Sequence, residues 1–171
     1  MKGYVQVYTG NGKGKTTAAL GLIVRACGAG LRVYFCQFIK GGICNEIKTL
    51  KKRFCDVTIQ QCGRGRFIRG RPSREDIKLA HRGLEKLRVA MLSGKYDVMI
   101  ADEANCAISC GLFTTSELMK LIDEKPDHVE LVFTGRSASK RLIARADLVT
   151  EMREVKHYFR KGIKSRPGIE A

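Results

Sequence analysis

The stretch Thr9-Gly10-Asn11-Gly12-Lys13-Gly14-Lys15-Thr16-Thr17 constrains this chain more than any other. It follows a short β-like run, Tyr4-Val5-Gln6-Val7-Tyr8, and opens onto an Ala/Leu-rich helical pattern. Strand, glycine-rich turn and Lys-Thr at a helix start form an arrangement suited to a nucleotide triphosphate. Backbone N–H groups at Gly10, Gly12 and Gly14 can turn toward phosphate oxygens, because glycine reaches the required backbone angles cheaply. The helix start adds its own unpaired N–H groups and partial positive charge. Lys15 can reach the outer phosphates, and the Thr16 hydroxyl can ligate a phosphate-bound Mg²⁺. Loops of this kind usually begin with glycine; here Thr9 holds that place.

Strand-like runs at 4–9, 32–38, 57–62, 96–102, 129–134 and 148–155 alternate with helical patterns at 15–28, 45–53, 73–92, 115–124 and 137–145. Two helix starts carry capping pairs, Ser73 with Asp76 and Thr114 with Glu117. Gly28 and Gly30 end the first helix, and Pro126 follows the fourth. Such alternation predicts an α/β fold, a mainly parallel sheet with helices on both faces. The length of 171 residues and the absence of a repeat or low-complexity linker predict one domain over 1–171, with a basic tail at 156–171.

A second chemical landmark is Tyr96-Asp97-Val98-Met99-Ile100-Ala101-Asp102-Glu103, an apolar strand ending in two carboxylates. In an open parallel sheet, ligands gather at the carboxyl ends of strands. Asp102 or Glu103 would meet Thr16 there on one Mg²⁺, an ion that takes a few oxygens from protein and the rest from phosphate and water. The same acids would also suit the first turn of a helix. A third loop, Thr134-Gly135-Arg136, faces the same edge. Arg136 would meet a phosphate or carboxylate there, or else simply be a solvated side chain after a turn glycine.

The net charge of +15 points to anionic partners. Arg64, Arg66, Arg69, Arg71 and Arg74 crowd one loop; Lys156, Arg160, Lys161, Lys164 and Arg166 crowd the tail. These clusters read either as an anion site or as a solubilising surface. The seven cysteines include no C-x-x-C pair, so they read as reduced structural thiols of a reducing compartment. Cys106 and Cys110 lie one helical turn apart. No run approaches a membrane span. The first strand begins almost at residue 1, which leaves no room for a leader and predicts a cytoplasmic protein.

Taken together, the chain resembles the ATP:corrinoid adenosyltransferases. The resemblance lies in GNGKGKTTAALG at 10–21, Arg25, VYFCQFIKG at 33–41, DE at 102–103, TGR at 134–136, ADLVTEMREVKH at 146–157 and GI at 168–169. It implies a RecA-like P-loop fold and transfer of the 5′-deoxyadenosyl group of ATP to the Co(I) of a reduced corrinoid, cobalamin or cobinamide. Triphosphate leaves, in adenosylcobalamin biosynthesis or salvage. By family position, Asn11 to Thr17 and Arg25 would hold ATP, with Thr16 and Glu103 on Mg²⁺. Because Co(I) is itself the nucleophile, no general base is needed, and His81, His128 and His157 receive no acid–base role. Lys15 would stabilise the leaving triphosphate.

In relatives, a segment after the third strand carries an aromatic pair against the lower corrin face. Here that segment reads Cys62-Gly63-Arg64-Gly65-Arg66-Phe67-Ile68-Arg69, with Phe67 its one aromatic and Ile68 beside it as a substitute. The resemblance also implies an electron donor for Co(II) reduction and a homodimer. Rival readings are a nucleic-acid-dependent P-loop ATPase, a thymidine-kinase-like phosphotransferase and a non-enzymatic ATP-binding regulator. The chain is short for a two-domain motor, sparse in aromatic stacking platforms, and lacks the paired C-x-x-C ligands of the kinase, so nucleic acid is not the expected partner.

Overall fold

The computed structural model describes the chain apart from Met1, Ile43, Arg66, Phe67, Arg69 and Ala171. Among the described residues the strands are β1 (Val5–Thr9), β2 (Val33–Phe38), β3 (Val57–Cys62), β4 (Val98–Asp102), β5 (Glu130–Thr134) and β6 (Leu148–Glu151). The helices are α1 (Lys15–Gly28), α2 (Asn45–Arg53), α3 (Arg74–Leu92), α4 (Ala104–Ser109), α5 (Thr115–Glu124) and α6 (Lys140–Arg145), with a 3₁₀ turn at Tyr158–Lys161. The strands form one sheet in the order β3-β2-β4-β5-β1-β6, and every pairing is parallel.

Strands buried on both faces read as nearly continuous apolar runs, and β2 (VYFCQF) and β4 (VMIAD) are buried at every position, with Gln37 and Asp102 as the buried polar exceptions near the carboxyl edge. Their side chains alternate between two cores. Tyr34, Cys36, Phe38, Met99 and Ala101 pack with residues of α3, α4, α5 and α6. Val33, Phe35, Val98 and Ile100 pack with Ala19, Ile23 and Ala26 of α1 and Ile47 and Leu50 of α2. Helices thus cover both faces, in an α/β architecture of the RecA-like P-loop kind. Each fully buried large apolar side chain contributes roughly 1.5–3 kcal/mol, and Phe35, Phe38 and Phe133 are among the largest.

Because every strand runs the same way, the segments that follow β1 to β6 emerge along one edge of the sheet. This single fact collects the residues singled out above.

Several element bounds differ from the sequence expectation, each for a local reason. The last helix begins at Lys140 because Ser137 adopts a left-handed φ of 57° and Ser139 is the true cap, accepting from the Leu142 amide. The sixth strand stops at Glu151 because Met152 then turns into the glycine loop. The sequence expectation has no counterpart of α4, which starts directly after Glu103.

Candidate active site

The glycine loop between β1 and α1 is built against the chain that leaves β6. The Met152 amide donates to the Thr9 carbonyl at 2.8 Å, and the Gly12 amide donates to the Met152 carbonyl at 2.6 Å. Gly10 has φ 94°, and a Cβ there would collide with the Met152 backbone. Thr9, in the place glycine usually takes, is buried, and its hydroxyl accepts from the Ala138 amide at 3.1 Å. It fastens the β5–α6 connection to the loop. The Lys15 ammonium curls back over the turn and donates to the Gly10 and Gly12 carbonyls, both at 2.7 Å. Burial, and then the neighbouring Arg136 guanidinium, lowers the pKa of Lys15.

Asp102 ends β4 and is fully buried. Its Oδ1 accepts from the hydroxyls of Thr16 at 3.0 Å and Thr134 at 2.7 Å, and its Oδ2 accepts from the Gln37 amide at 3.0 Å. Burial raises its pKa, opposed by the Gln37 hydrogen bond. Glu103 follows with a left-handed φ of 60°, its amide donating to Thr134 Oγ1 at 2.9 Å. A non-glycine residue held in that region is a strained feature of the kind found at functional sites. Thr16, Asp102 and Glu103 offer hard oxygen donors, and the hydroxyl and carboxylate of the first two already touch. That donor set fits Mg²⁺, which favours oxygen.

Above these groups lies a cavity of about 650 Å³. Of the expected site residues, Gly12, Lys13, Gly14, Lys15, Thr16, Thr17, Glu103 and Arg136 line it. Gly10 shapes the turn from below, Asn11 is exposed beside it, and Asp102 sits behind Thr16. Arg25 is not brought to this cavity. It lies exposed ten residues beyond Lys15 on α1, about 15 Å along the axis. Ile68 packs against the α3-side core, and Phe67 lies outside the described residues.

The cavity also takes wall residues that were not assigned from sequence: Lys40, Asn45, Glu46 and Thr49 after β2, and His157 with Gly168, Ile169 and Glu170 from the tail. Of these, Lys40, His157, Gly168 and Ile169 fall in the QFIKG, VKH and GI segments, quoted for resemblance without a role for each residue; Asn45, Glu46, Thr49 and Glu170 fall in none of them. The tail is tied to the loop through Lys13. The Lys13 ammonium donates to the Tyr158 hydroxyl at 3.2 Å, the Ile169 carbonyl at 2.9 Å and the Glu170 carboxylate at 3.2 Å. Arg166, and then Tyr158, hold the Glu170 carboxyl well below its usual range. On the other side, Cys106 accepts from the Arg136 amide at 3.2 Å. Burial, then Glu103, pushes its thiol up to about 12, which makes it a poor nucleophile near neutral pH.

Comparison with known proteins places the whole chain in a family. The sequence profile of the ATP:corrinoid adenosyltransferase family BtuR/CobO/CobP covers residues 1–171. The chain belongs to this family. It is 36% identical over 172 residues to a corrinoid adenosyltransferase of Sinorhizobium sp, covering 99% of this chain and 80% of that one. Against the corrinoid adenosyltransferase of Pseudomonas aeruginosa it is 33% identical, covering 99% and 84%. Against that of Escherichia coli K12 it is 34% identical, covering 99% and 86%. Membership of the corrinoid adenosyltransferases makes it a transferase acting on a corrinoid, in preference to a nucleic-acid-dependent motor or a nucleoside kinase. Among the described residues, no helix is long and apolar enough to cross a membrane.

Proposed function

We propose that the protein transfers the 5′-deoxyadenosyl group of ATP to the Co(I) of a reduced corrinoid and releases triphosphate. One observation supports this most: Lys15, Thr16 and Glu103 face a single cavity at the carboxyl edge of the sheet, in a chain of this family. The electron pair on Co(I) forms the bond to the ribose C5′. The bond from C5′ to the phosphate oxygen breaks, and its electrons leave on triphosphate. No proton is taken from the nucleophile, so the chain's task is positioning and electrostatic help to the leaving group.

Lys15 and the amides of residues 13–16 hold the phosphates, with Lys13, Arg136 and Asn11 at the rim; the Gly12 amide, expected from sequence to face phosphate, is instead taken by the Met152 carbonyl. To reach the phosphates, Lys15 exchanges its bonds to the Gly10 and Gly12 carbonyls for bonds to phosphate oxygen. Charge-assisted hydrogen bonds contribute roughly 1.5–3 kcal/mol each. Thr16, Asp102 and Glu103 would hold Mg²⁺, which would offset the negative charge of the polyphosphate when bound. By family position, Phe67 and Ile68 of the β3–α3 connection would meet the lower face of the corrinoid. Arg25, remote from the cavity, has no direct part in this reading. A homodimer working in the cytoplasm with a separate electron donor completes the proposal.

The test is incubation with ATP, Mg²⁺ and chemically reduced cobalamin, followed by the visible spectrum and phosphate analysis. A light-sensitive alkyl–cobalt product with stoichiometric tripolyphosphate is expected. Nucleoside diphosphate, or orthophosphate released at the rate of turnover, would overturn the reading.

A further inference from the structure

Three residues stand side by side across the sheet near its carboxyl edge. Gln37 of β2 is in register with Gln61 of β3 on one side and with Asp102 of β4 on the other. Their side chains form a continuous chain of hydrogen bonds. Thr16 Oγ1 donates to Asp102 Oδ1 at 3.0 Å, and Gln37 Nε2 donates to Asp102 Oδ2 at 3.0 Å. Gln61 Nε2 donates to Gln37 Oε1 at 3.1 Å and to the Gly42 carbonyl at 2.9 Å.

The direction of this chain is forced by chemistry. The Gly42 carbonyl only accepts, so the Gln61 carboxamide must turn its nitrogen toward it, and Gln37 then turns its carbonyl to Gln61 and its N–H groups to Asp102. Gln61 must then present N–H to Gln37, and its second N–H serves the Gly42 carbonyl. Gln37 is wholly buried, so water offers its carboxamide little alternative partnership. Donation therefore runs from Gln61 through Gln37 into Asp102, which also accepts from Thr16 at the foot of the phosphate loop, while Gln61 holds the connection after β2 through the Gly42 carbonyl.

That connection is tightly set. Ile39 is held at φ 66°, a strained angle for a β-branched residue. A Cβ on Gly41 would collide with the Gly63 backbone, and one on Gly63 would collide with Ile39, so residues 39–42 and 63–65 meet backbone to backbone. Arg64 in turn bonds Asp76 at 2.8 Å and Glu75 at 2.6 Å at the start of α3. Lys40, between Ile39 and Gly41, lines the cavity.

We propose that Gln37 and Gln61 are positioning residues, a hydrogen-bond relay of fixed orientation that ties Thr16 and Asp102 to the paired loops 39–42 and 63–65 and so sets the approach of the corrinoid to the nucleotide. The proposal rests on the adenosyltransfer reading for its substrates; the relay itself is a property of the fold. Gln61 is the residue to change, since it touches neither the cavity wall nor Asp102.

Glutamate at this position has nearly the same shape but reverses the polarity, placing an acceptor against the Gln37 and Gly42 carbonyls. For Gln61→Glu, the KM for cobalamin should rise about tenfold, as expected when two hydrogen bonds of a half-buried side chain are replaced by opposed acceptors. The Kd for ATP with Mg²⁺, read by calorimetry, should stay within about twofold. Amide hydrogen exchange in 39–42 and 63–65 should quicken in the same variant. Gln61→Met, neutral and of similar length, should show the same changes to a smaller degree, and stands in should the glutamate variant fail to fold. Unchanged exchange in these loops with either variant overturns the relay, whatever the activity. Unchanged corrinoid KM with faster exchange overturns the link to substrate approach. Failure of the wild-type chain to alkylate cobalamin, with loop exchange altered as described, would sink the functional reading and the substrate link while leaving the relay intact.

Discussion

The starts of α1 and α3 solve the same problem in opposite ways. Every helix begins with amides that have no partner inside it. At α3 the protein supplies partners from its own chain. Ser73 accepts from the Asp76 amide, Asp76 bonds back to the Ser73 amide, Glu75 adds negative charge, and Arg64 clamps the two acids. At α1 the cap is Gly14 with φ 120°, without a side-chain cap and without an acid in the first turn. One helix start is closed by its own side chains, and the other is left without a side-chain cap, where the proposed function puts a phosphate. The difference teaches that a helix start serves stability or ligand binding according to what sits in the cap and first-turn positions.

The comparison breaks most sharply at Lys15. Lys15→Ala should lower adenosylation of reduced cobalamin about a hundredfold or more, since a charge-assisted contact to the leaving group is lost. Near-normal turnover at saturating ATP would remove Lys15 from that role. Converting the open start into a closed one is the next test. Gly14→Asp adds a side chain at an angle that disfavours one and puts a carboxylate where phosphate is expected. It should weaken ATP binding by calorimetry about tenfold or more, while thermal stability falls only modestly.

Opening the closed start gives a smaller effect of another kind. Ser73→Ala should lower the unfolding free energy by about 1 kcal/mol in urea titration, with ATP affinity and turnover at wild-type values. A kinetic defect would show that α3 also serves the site. The smallest effect concerns pH. Arg64, then Ser73, holds the Asp76 carboxyl well below its ordinary range around 3.8. A depressed carboxylate contributes stability that is complete above the unfolded value and is lost as pH falls through the folded one. Thermal melts below about pH 4 should therefore decline less steeply in Asp76→Asn than in the wild type; parallel declines would assign acid sensitivity elsewhere.

The same contrast explains what could be read from the sequence. The capping boxes at Ser73 and Thr114 and the helices they open were legible because their spacing is local and specific. The parallel order of strands was legible as a class because apolar runs alternate with amphipathic stretches. The six-residue α4 was not, since it is too short to show a period and begins from a left-handed glutamate without a side-chain cap. By sequence the helical pattern of α6 begins at Ser137, and the left-handed backbone angle there, which sequence does not reveal, moves its start to Lys140 behind Ser139. In the site, residues 12–17, Glu103 and Arg136 were found because each lies at the end of a strand or the start of a helix. Arg25 was placed by family position and sits too far down α1 to share the cavity. Lys40, His157 and Glu170 reach it from distant parts of the chain, and no local spacing announces that. Cavity walls are a product of topology, and side chains that join them late carry little pattern of their own.

Under the proposed function, the bonds from the Lys15 ammonium to the Gly10 and Gly12 carbonyls would have a consequence for how quickly a polyphosphate is captured. The turn is braced by its own cation, so its backbone need not be ordered when the guest arrives. What is exchanged is one set of oxygen acceptors for another, and the entropy of shaping the turn has already been spent during folding. Association should then be limited by encounter and by the swing of one side chain rather than by refolding of a loop.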